Sequence, residues 1–510
     1  MKRGAPLLLC IPWLLSVACS DDAPAPVAPQ TPPPKTTPAP PAPPPPPEPP
    51  PVCVESALGA SLEKLEGVGD IENVDCGKYV EGAATCFTFT FTQKLDHTNE
   101  GNATVFKQRG QLIHRSCSAP TTIMDNGYGL PEVIYEMEPS ILFATNTVIL
   151  EHRFQGESLP PAKDRLWTSL SIENGARDTH AVIASFKKLY PQKWVSTGAS
   201  KGGITAVYHR FFFPNDVDGT VGYVAPASLA RQDTRYQERL DSGVFPAACT
   251  TALHAFQTGA LGIRRPAFTA ALVGKYGLSE ADANYSLESS IAHFDWGFWQ
   301  SGGHCDAIPE ANASDQAHVA YFEKYLQSGR APHTLPATRA EISYAALSYE
   351  WAWQQGFALQ VGKHLGPDLF QTQVIADSTS AAYFQRIIPG EPLPAFDGSV
   401  TERTRDWVKT SAERLVLIYG ELDPWSGGAL DAPLHPSSGR YYAPGADHGA
   451  SIQDLSNAEQ MGALSKVASM YGKAMAVRGD ASQREKMHQR IRDAREALVR
   501  HEAVVARMRH

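Results

Sequence analysis

Lys193–Phe213 reads KWVSTGASKGGITAVYHRFFF: a short apolar run, a cluster of small residues, then a helical pattern. Within it, Gly198-Ala199-Ser200-Lys201-Gly202 matches G-x-S-x-G. Between a strand and a helix, that motif holds a serine on a strained turn with its hydroxyl raised, and small flanking residues let the two backbone arms approach. The helix behind the turn presents unpaired N–H groups and a partial positive charge where an oxyanion would develop. Ser200 is therefore the candidate nucleophile, and the backbone N–H of Lys201 one oxyanion donor.

The flanks carry the rhythm of a parallel sheet covered by helices. Cys86–Lys94 (CFTFTFTQK) alternates aromatic residues with threonine, as a half-buried strand does. Val105–Arg115, Pro120–Met124 and Ala144–Phe154 read as further strands, Leu166–Tyr190 as a helix, and Gly219–Pro226 as the strand after the nucleophile helix. Strand and helix alternate from Thr121 to Pro226, which predicts a mostly parallel central sheet covered by helices; with the G-x-S-x-G turn inside it, the expected fold is that of an α/β hydrolase. Ser228 to about Thr410 breaks the rhythm with helical pattern and aromatic residues, including Phe294, Trp296, Phe298, Trp299, Tyr349, Trp351, Trp353 and Phe357. This reads as a large helical cap that narrows access to the site. Arg414–Gly420 and Arg440–Ala443 return to strands, and Ile452–Tyr471 closes with a helix.

On this reading the core comprises 53–227 and 411–477, with the cap at 228–410 between them. Outside it lie three other segments. Residues 1–19 have a basic start and an apolar stretch too short to span a membrane, an export signal ending in a lipobox-like LSVAC that would lipidate Cys19. Residues 20–52 are a proline-rich spacer, extended in the polyproline manner. Residues 478–510 are a charged tail to which no function is assigned. Six cysteines remain beyond Cys10 and Cys19: Cys53, Cys76, Cys86, Cys117, Cys249 and Cys305. An even number in an exported chain reads as disulfides. Local pairing joins Cys249 to Cys305 and leaves two bridges among the other four, whose connectivity the spacing does not fix. No Cys/His spacing suggests zinc, and neither metal nor cofactor is expected. A net charge of −9 gives no sign of a nucleic-acid partner.

In the α/β-hydrolase order, serine is followed by an acid and then a histidine. Asp423 follows a late strand and is stopped by Pro424; His448 lies in the Gly-flanked loop GADHG after the last strand. Asp431 and Glu421 compete as the acid, and His152, His180 and His435 as the base; chain order and loop setting favour Ser200, Asp423 and His448. The chemistry needs these types: a hydroxyl to attack, an imidazole titrating near neutrality to take its proton, and a carboxylate to orient the ring. The loop Asp125-Asn126-Gly127-Tyr128-Gly129 would supply the second oxyanion donor from Gly127 or Tyr128. A Glu151–Arg153 pair is expected to hold the loop Gln155–Pro161.

These segments resemble the secreted bacterial tripeptidyl and prolyl tri/tetrapeptidyl aminopeptidases. The matching runs are FTQKLDH (91–97), VILEHRFQGESLP (148–160), STGASKGGITAVYHRFFFPNDVDGTVGYVAP (196–226), ELDPWS (421–426) and GADHGA (445–450). More distantly the chain is similar to prolyl carboxypeptidase and dipeptidyl peptidase II. The resemblance implies an exported serine exopeptidase that releases short peptides from free N-termini, anchored by lipid or secreted at the bacterial surface or periplasm. It places the triad on Ser200, Asp423 and His448. Such an enzyme must hold the substrate ammonium with a carboxylate, for which Glu151, Asp295 and Glu350 are the candidates. Its partners would be peptide substrates, with membrane contact only through the Cys19 anchor; the oligomeric state is left open. An esterase or lipase on the same triad and a non-catalytic cell-surface binding protein are the competing readings.

Overall fold

Trp194–Ala199 (β6) is buried from Trp194 to Gly198 and lies inside a nine-stranded sheet of order β1-β2-β3-β5-β4-β6-β7-β8-β9. The computed structural model describes residues 51–80, 82–161, 167–325, 343, 346, 347, 349, 350, 364–372, 374 and 395–473. The export signal, Cys19, all but the last residues of the spacer, the tail 478–510, Trp351, Trp353 and Phe357 lie outside the described residues. The other strands are β1 (Val68–Val74), β2 (Thr85–Lys94), β3 (Val105–His114), β4 (Thr121–Asp125), β5 (Asn146–Leu150), β7 (Gly219–Tyr223), β8 (Leu415–Gly420) and β9 (Gly439–Ala443). β1, β2, β3 and β5 pair antiparallel in turn; β5, β4, β6, β7, β8 and β9 pair parallel. The chain thus has the mostly parallel, helix-covered sheet of an α/β hydrolase.

Burial explains which residues became which strands. β4, β5, β7 and β8 are buried at every position, as strands covered on both faces must be. On β8, alternate residues face opposite layers. Leu415, Leu417 and Tyr419 pack with Ile204 and Val207 of α4 (Lys201–Phe212), whereas Val416 and Ile418 pack with Leu464, Val467 and Ala468 of the closing helix Asn457–Met470. α3 (Ile172–Phe186) is N-capped by Ser171, which accepts from Asn174 N, and sends Val182, Ile183 and Phe186 into a cluster with Ile123, Val148 and Trp194.

β1 was not expected from the sequence, where Gly67 precedes it and Gly69 interrupts it. Its pairing with β2 carries an irregularity between Gly69 and Glu72, with Asp70 at a φ of 47°, so the pattern that marks a regular strand is broken. The helical insert begins after β7 with α5 (Thr234–Asp241) and continues through α6 (Ala247–Leu261), α7 (Arg265–Tyr276), α8 (Glu280–Ala292), α9 (Phe294–Gln300) and α10 (Asp315–Tyr325). Leu253, Phe256, Phe268, Leu287, Ile291, Phe294 and Phe298 form its own core. Three disulfides are present: Cys249–Cys305 within the insert, Cys53–Cys117, and Cys76–Cys86 between the ends of β1 and β2.

Candidate active site

β6 runs out at Ala199, and α4 begins at Lys201; Ser200 between them has φ 55° and ψ −127°. This is strained backbone for a non-glycine residue. Two neighbouring glycines make the turn feasible: a Cβ on Gly198 would strike the Gly202 carbonyl, and one on Gly202 would lie 2.8 Å from Asn126 O. Ser200 N donates to Tyr223 O at 2.9 Å, tying the turn to β7.

Asp423 and His448 reach the same point from two later loops. His448 Nε2 is 2.9 Å from Ser200 Oγ, and His448 Nδ1 is 2.9 Å from Asp423 Oδ2. Asp423 is fully buried, and its other oxygen accepts Trp425 N at 3.0 Å, so the carboxylate also caps the short helical turn Pro424–Gly428. The insert contributes behind the histidine: His448 N donates to Gln300 O at 3.4 Å, and Trp425 Nε1 donates to Gln300 Oε1 at 3.0 Å. The rival residues are engaged elsewhere. Asp431 pairs with Arg405, Glu421 accepts Gly445 N, His180 pairs with Asp216, and His435 bonds Ser437. His152 is held by Asp125 at 3.0 Å.

The loop after β4 lies against the nucleophile turn. Gly127 N donates to Asp125 Oδ1 at 2.8 Å, which spends that N–H within the loop and leaves Tyr128 as the member of the expected pair. Tyr128 Oη is 3.5 Å from Ser200 Oγ. Gly127 has a φ of 77°, and a Cβ there would sit 2.9 Å from Lys201 C, so glycine is what allows the loop this close.

The three carboxylates expected near a substrate amine separate. Glu151 is buried and saturated: Oε1 accepts Leu130 N, and Oε2 accepts Glu157 N, Ser158 N and Ser158 Oγ, all at 2.8–2.9 Å. It holds its loop without Arg153, helped by Ser343, whose Oγ accepts Gly156 N at 2.9 Å and whose carbonyl accepts Gln155 Nε2 at 3.1 Å. The expected Glu151–Arg153 pair does not form, because Arg153 turns to Asp178, with Nε to Oδ2 at 2.7 Å and Nη2 to Oδ1 at 2.9 Å. Sequence reasoning missed Asp178, which lies in the first half of α3 with no local signal of its partner. Glu350 is buried against Lys201 and His152. Asp295 lies in the insert, where burial pushes its carboxyl up to about 6. His254 and His364 are beside it, close enough that the three could be weighed as metal ligands. Their imidazoles stack at 3.5 Å and 8°, so a shared ion would sit well out of both ring planes, away from the lone pairs. The Cys53, His114 and Cys117 group offers no thiolate, because its cysteines are joined.

Glu138, on α2 (Glu138–Phe143), anchors the turn that follows the histidine loop by accepting Ile452 N at 2.9 Å. Burial drives its carboxyl up to about 7 despite that bond. The native state therefore keeps a proton that the unfolded chain releases above its ordinary value of 4.5, and stability falls as pH rises from there to about 7. Between pH 4.5 and roughly 8, the unfolding free energy of Glu138→Gln is expected to gain about 3 kcal/mol relative to wild type. Urea titrations at the two pH values measure it.

Residues 64–488 match the family described as PS-10 peptidase S37. The chain belongs to this family. It is a serine peptidase of the S37 type. Prolyl tri/tetrapeptidyl aminopeptidase of Streptomyces mobaraensis is 31% identical over 404 residues, which cover 76% of this chain and 80% of that one. Lysosomal Pro-X carboxypeptidase of Mus musculus is 27% identical over 159 residues, 27% of this chain and 31% of that one. Among solved structures, proline iminopeptidase of Mycobacterium smegmatis shares 13% identity, covering 79% of this chain and 99% of that one with a TM-score of 0.31. For an S37 peptidase, the Ser200–His448–Asp423 chain is the one array described above that links a hydroxyl, an imidazole and a buried carboxylate at the end of the parallel strands.

Proposed function

We propose that this S37 peptidase is an exported aminopeptidase that releases tri- or tetrapeptides from free N-termini. The observation that carries the reading is the unbroken contact from Ser200 Oγ through His448 to Asp423. Ser200 Oγ attacks the scissile carbonyl carbon while His448 Nε2 takes its proton; Asp423 holds the Nδ1–H and stabilises the imidazolium. Lys201 N–H and Tyr128 N–H receive the oxyanion, each donor contributing about 3 kcal/mol to the transition state. His448 then protonates the departing amine, leaving an ester on Ser200 that water cleaves by the same route in reverse. The likeness to the Streptomyces mobaraensis enzyme supports the exopeptidase choice and a preference for proline before the cut. Export and a lipid anchor on Cys19 rest on the first twenty residues, and the three disulfides fit an oxidising compartment.

The test is a matched pair of peptides, one with a free and one with an acetylated N-terminus, analysed by mass spectrometry. Release of three or four residues from the free peptide is expected, with acetylation lowering kcat/KM by on the order of 10³-fold or more, since a site built for an ammonium is left unpaired. Equal cleavage of both would reject aminopeptidase action. Turnover of p-nitrophenyl esters with no amide cleavage would make the protein an esterase, and absence of both would return the binding-protein reading.

A further inference from the structure

Lys201 carries an ammonium in an unusual place. Its side chain, like that of Glu350, is only 2% exposed, yet it sits at the first turn of the nucleophile helix, where the helix dipole disfavours a cation. Burying such a charge costs several kcal/mol unless it is paired and hydrogen-bonded. Two partners meet it: Glu350 Oε2 at 3.0 Å and Gly127 O at 2.6 Å.

The second contact decides what the lysine does. Gly127 O belongs to the peptide that ends in Tyr128 N–H. A trans peptide is planar, so its carbonyl and N–H point in opposite directions. An ammonium that fixes Gly127 O also fixes the direction of Tyr128 N–H, on the side away from Lys201. The same loop is held at its other end, where Gly127 N donates to Asp125 and Asp125 binds His152. His152 Nε2 returns to Glu350 at 3.4 Å, closing a ring of contacts through Asp125, Gly127, Lys201, Glu350 and His152. Burial alone would lower the His152 value and raise that of Glu350; the opposite charges around them win, raising the first and holding the second at about 2. With Gly127 at a φ of 77°, the loop lacks the side-chain bulk that would otherwise resist rotation of this peptide. A rotated peptide would present a carbonyl where a donor is needed.

We propose that Lys201 is a positioning residue that aims the Tyr128 N–H at the oxyanion, and that Glu350 holds the lysine in that position. The inference rests on the assignment of Ser200 as nucleophile. One residue then serves both halves of the oxyanion site: its main chain supplies one donor, and its side chain orients the other. Glu350 enters from the 228–410 insert, so the seating of the insert is sensed at the oxyanion site. Glu350 is thereby removed from the candidates for the substrate ammonium.

Lys201→Met and the near-isosteric Glu350→Gln are compared with wild type in three measurements. Wild type is first labelled with a fluorophosphonate; absence of labelling would overturn the nucleophile assignment and this inference with it. In folded variants, judged by circular dichroism, kcat is expected to fall about 10²–10³-fold for Lys201→Met with KM unchanged, the signature of a lost oxyanion donor. Inhibition by a peptidyl aldehyde, whose hemiacetal oxygen enters the oxyanion site, should weaken by the same factor as kcat/KM. Because the two residues act along one path, the double variant should lose no more than Lys201→Met alone. If Lys201→Met does not fold, Glu350→Gln decides by the same split. Wild-type kcat and aldehyde affinity in either folded variant, or parallel changes in KM and kcat, would overturn the proposal.

Discussion

Ser200→Ala is expected to lower kcat by about 10⁵–10⁶-fold while leaving KM and the unfolding midpoint close to wild type. The residual rate would come from the oxyanion donors and from substrate positioning, which the substitution does not touch. Its structural counterpart is Ser200→Gly. At φ 55° and ψ −127° the serine backbone is held in a region that costs a non-glycine residue about 1–3 kcal/mol. Glycine relieves that strain but returns about 0.5–1 kcal/mol through the freedom it adds to the unfolded chain. The glycine variant should therefore be as inactive as the alanine variant and about 1 kcal/mol more stable. Single-turnover kinetics with urea denaturation of both separates the roles. Loss of folding in Ser200→Ala, or retained turnover in either, would remove Ser200 from the chemistry.

The same strain explains why this part of the chain could be read without coordinates. A G-x-S-x-G turn is specified locally: the strand before it, the helix after it and the absence of Cβ at Gly198 and Gly202 are all contained in about twenty residues. The buried parallel strands were legible for a related reason, since covering by helices on both faces makes each a short unbroken apolar run. β1 was not, because its irregular pairing and Gly69 break the alternation, and what makes it a strand is its partner β2.

Polar partnerships across long separations were the least legible. Arg153 follows Glu151 by two residues, and a local pair was the natural expectation; in the turn after β5, however, the two side chains go different ways, Glu151 to three backbone donors and Arg153 to an aspartate 25 residues on, in α3. Glu350 and Lys201 are 149 positions apart, and no periodicity links an insert to an elbow. The sequence identifies such residues as charged groups near the site. Which of them serve the substrate and which the scaffold depends on the third dimension. Disulfide pairing shows the same limit: the expected Cys249–Cys305 bridge spans 56 positions, and the two bridges whose connectivity the spacing left open, Cys76–Cys86 and Cys53–Cys117, span 10 and 64.

Asp178→Asn is expected to be the most destabilising single change outside the elbow, costing about 3–5 kcal/mol. Arg153 and Asp178 are both fully buried in their side chains and share two parallel hydrogen bonds. The guanidinium is further tied to the carbonyls of Leu95, Ser169 and Lys94, so it cannot follow the lost charge to solvent. His97 Nε2 also meets Asp178, at 2.8 Å, which leaves the new amide facing donors on two sides with one oxygen to offer. Burial by itself would raise the aspartate; Arg153 and His97 outweigh it and hold the carboxyl below its ordinary range. A carboxylate depressed in the native state stabilises fully above its unfolded value near 4 and loses that contribution as pH falls through the lower native value. Wild type should accordingly lose stability on acidification below about pH 4 in a way that Asp178→Asn does not, and the gap between their urea midpoints should narrow there. A gap that stays constant with pH would assign the loss to packing and not to the ion pair. Because the pair joins α3 to the turn after β5 and to the end of β2, the damage should spread to the oxyanion loop packed beside it. Fluorophosphonate labelling of Ser200 in Asp178→Asn should thus slow at temperatures where the wild type is unaffected, and recover fully on cooling.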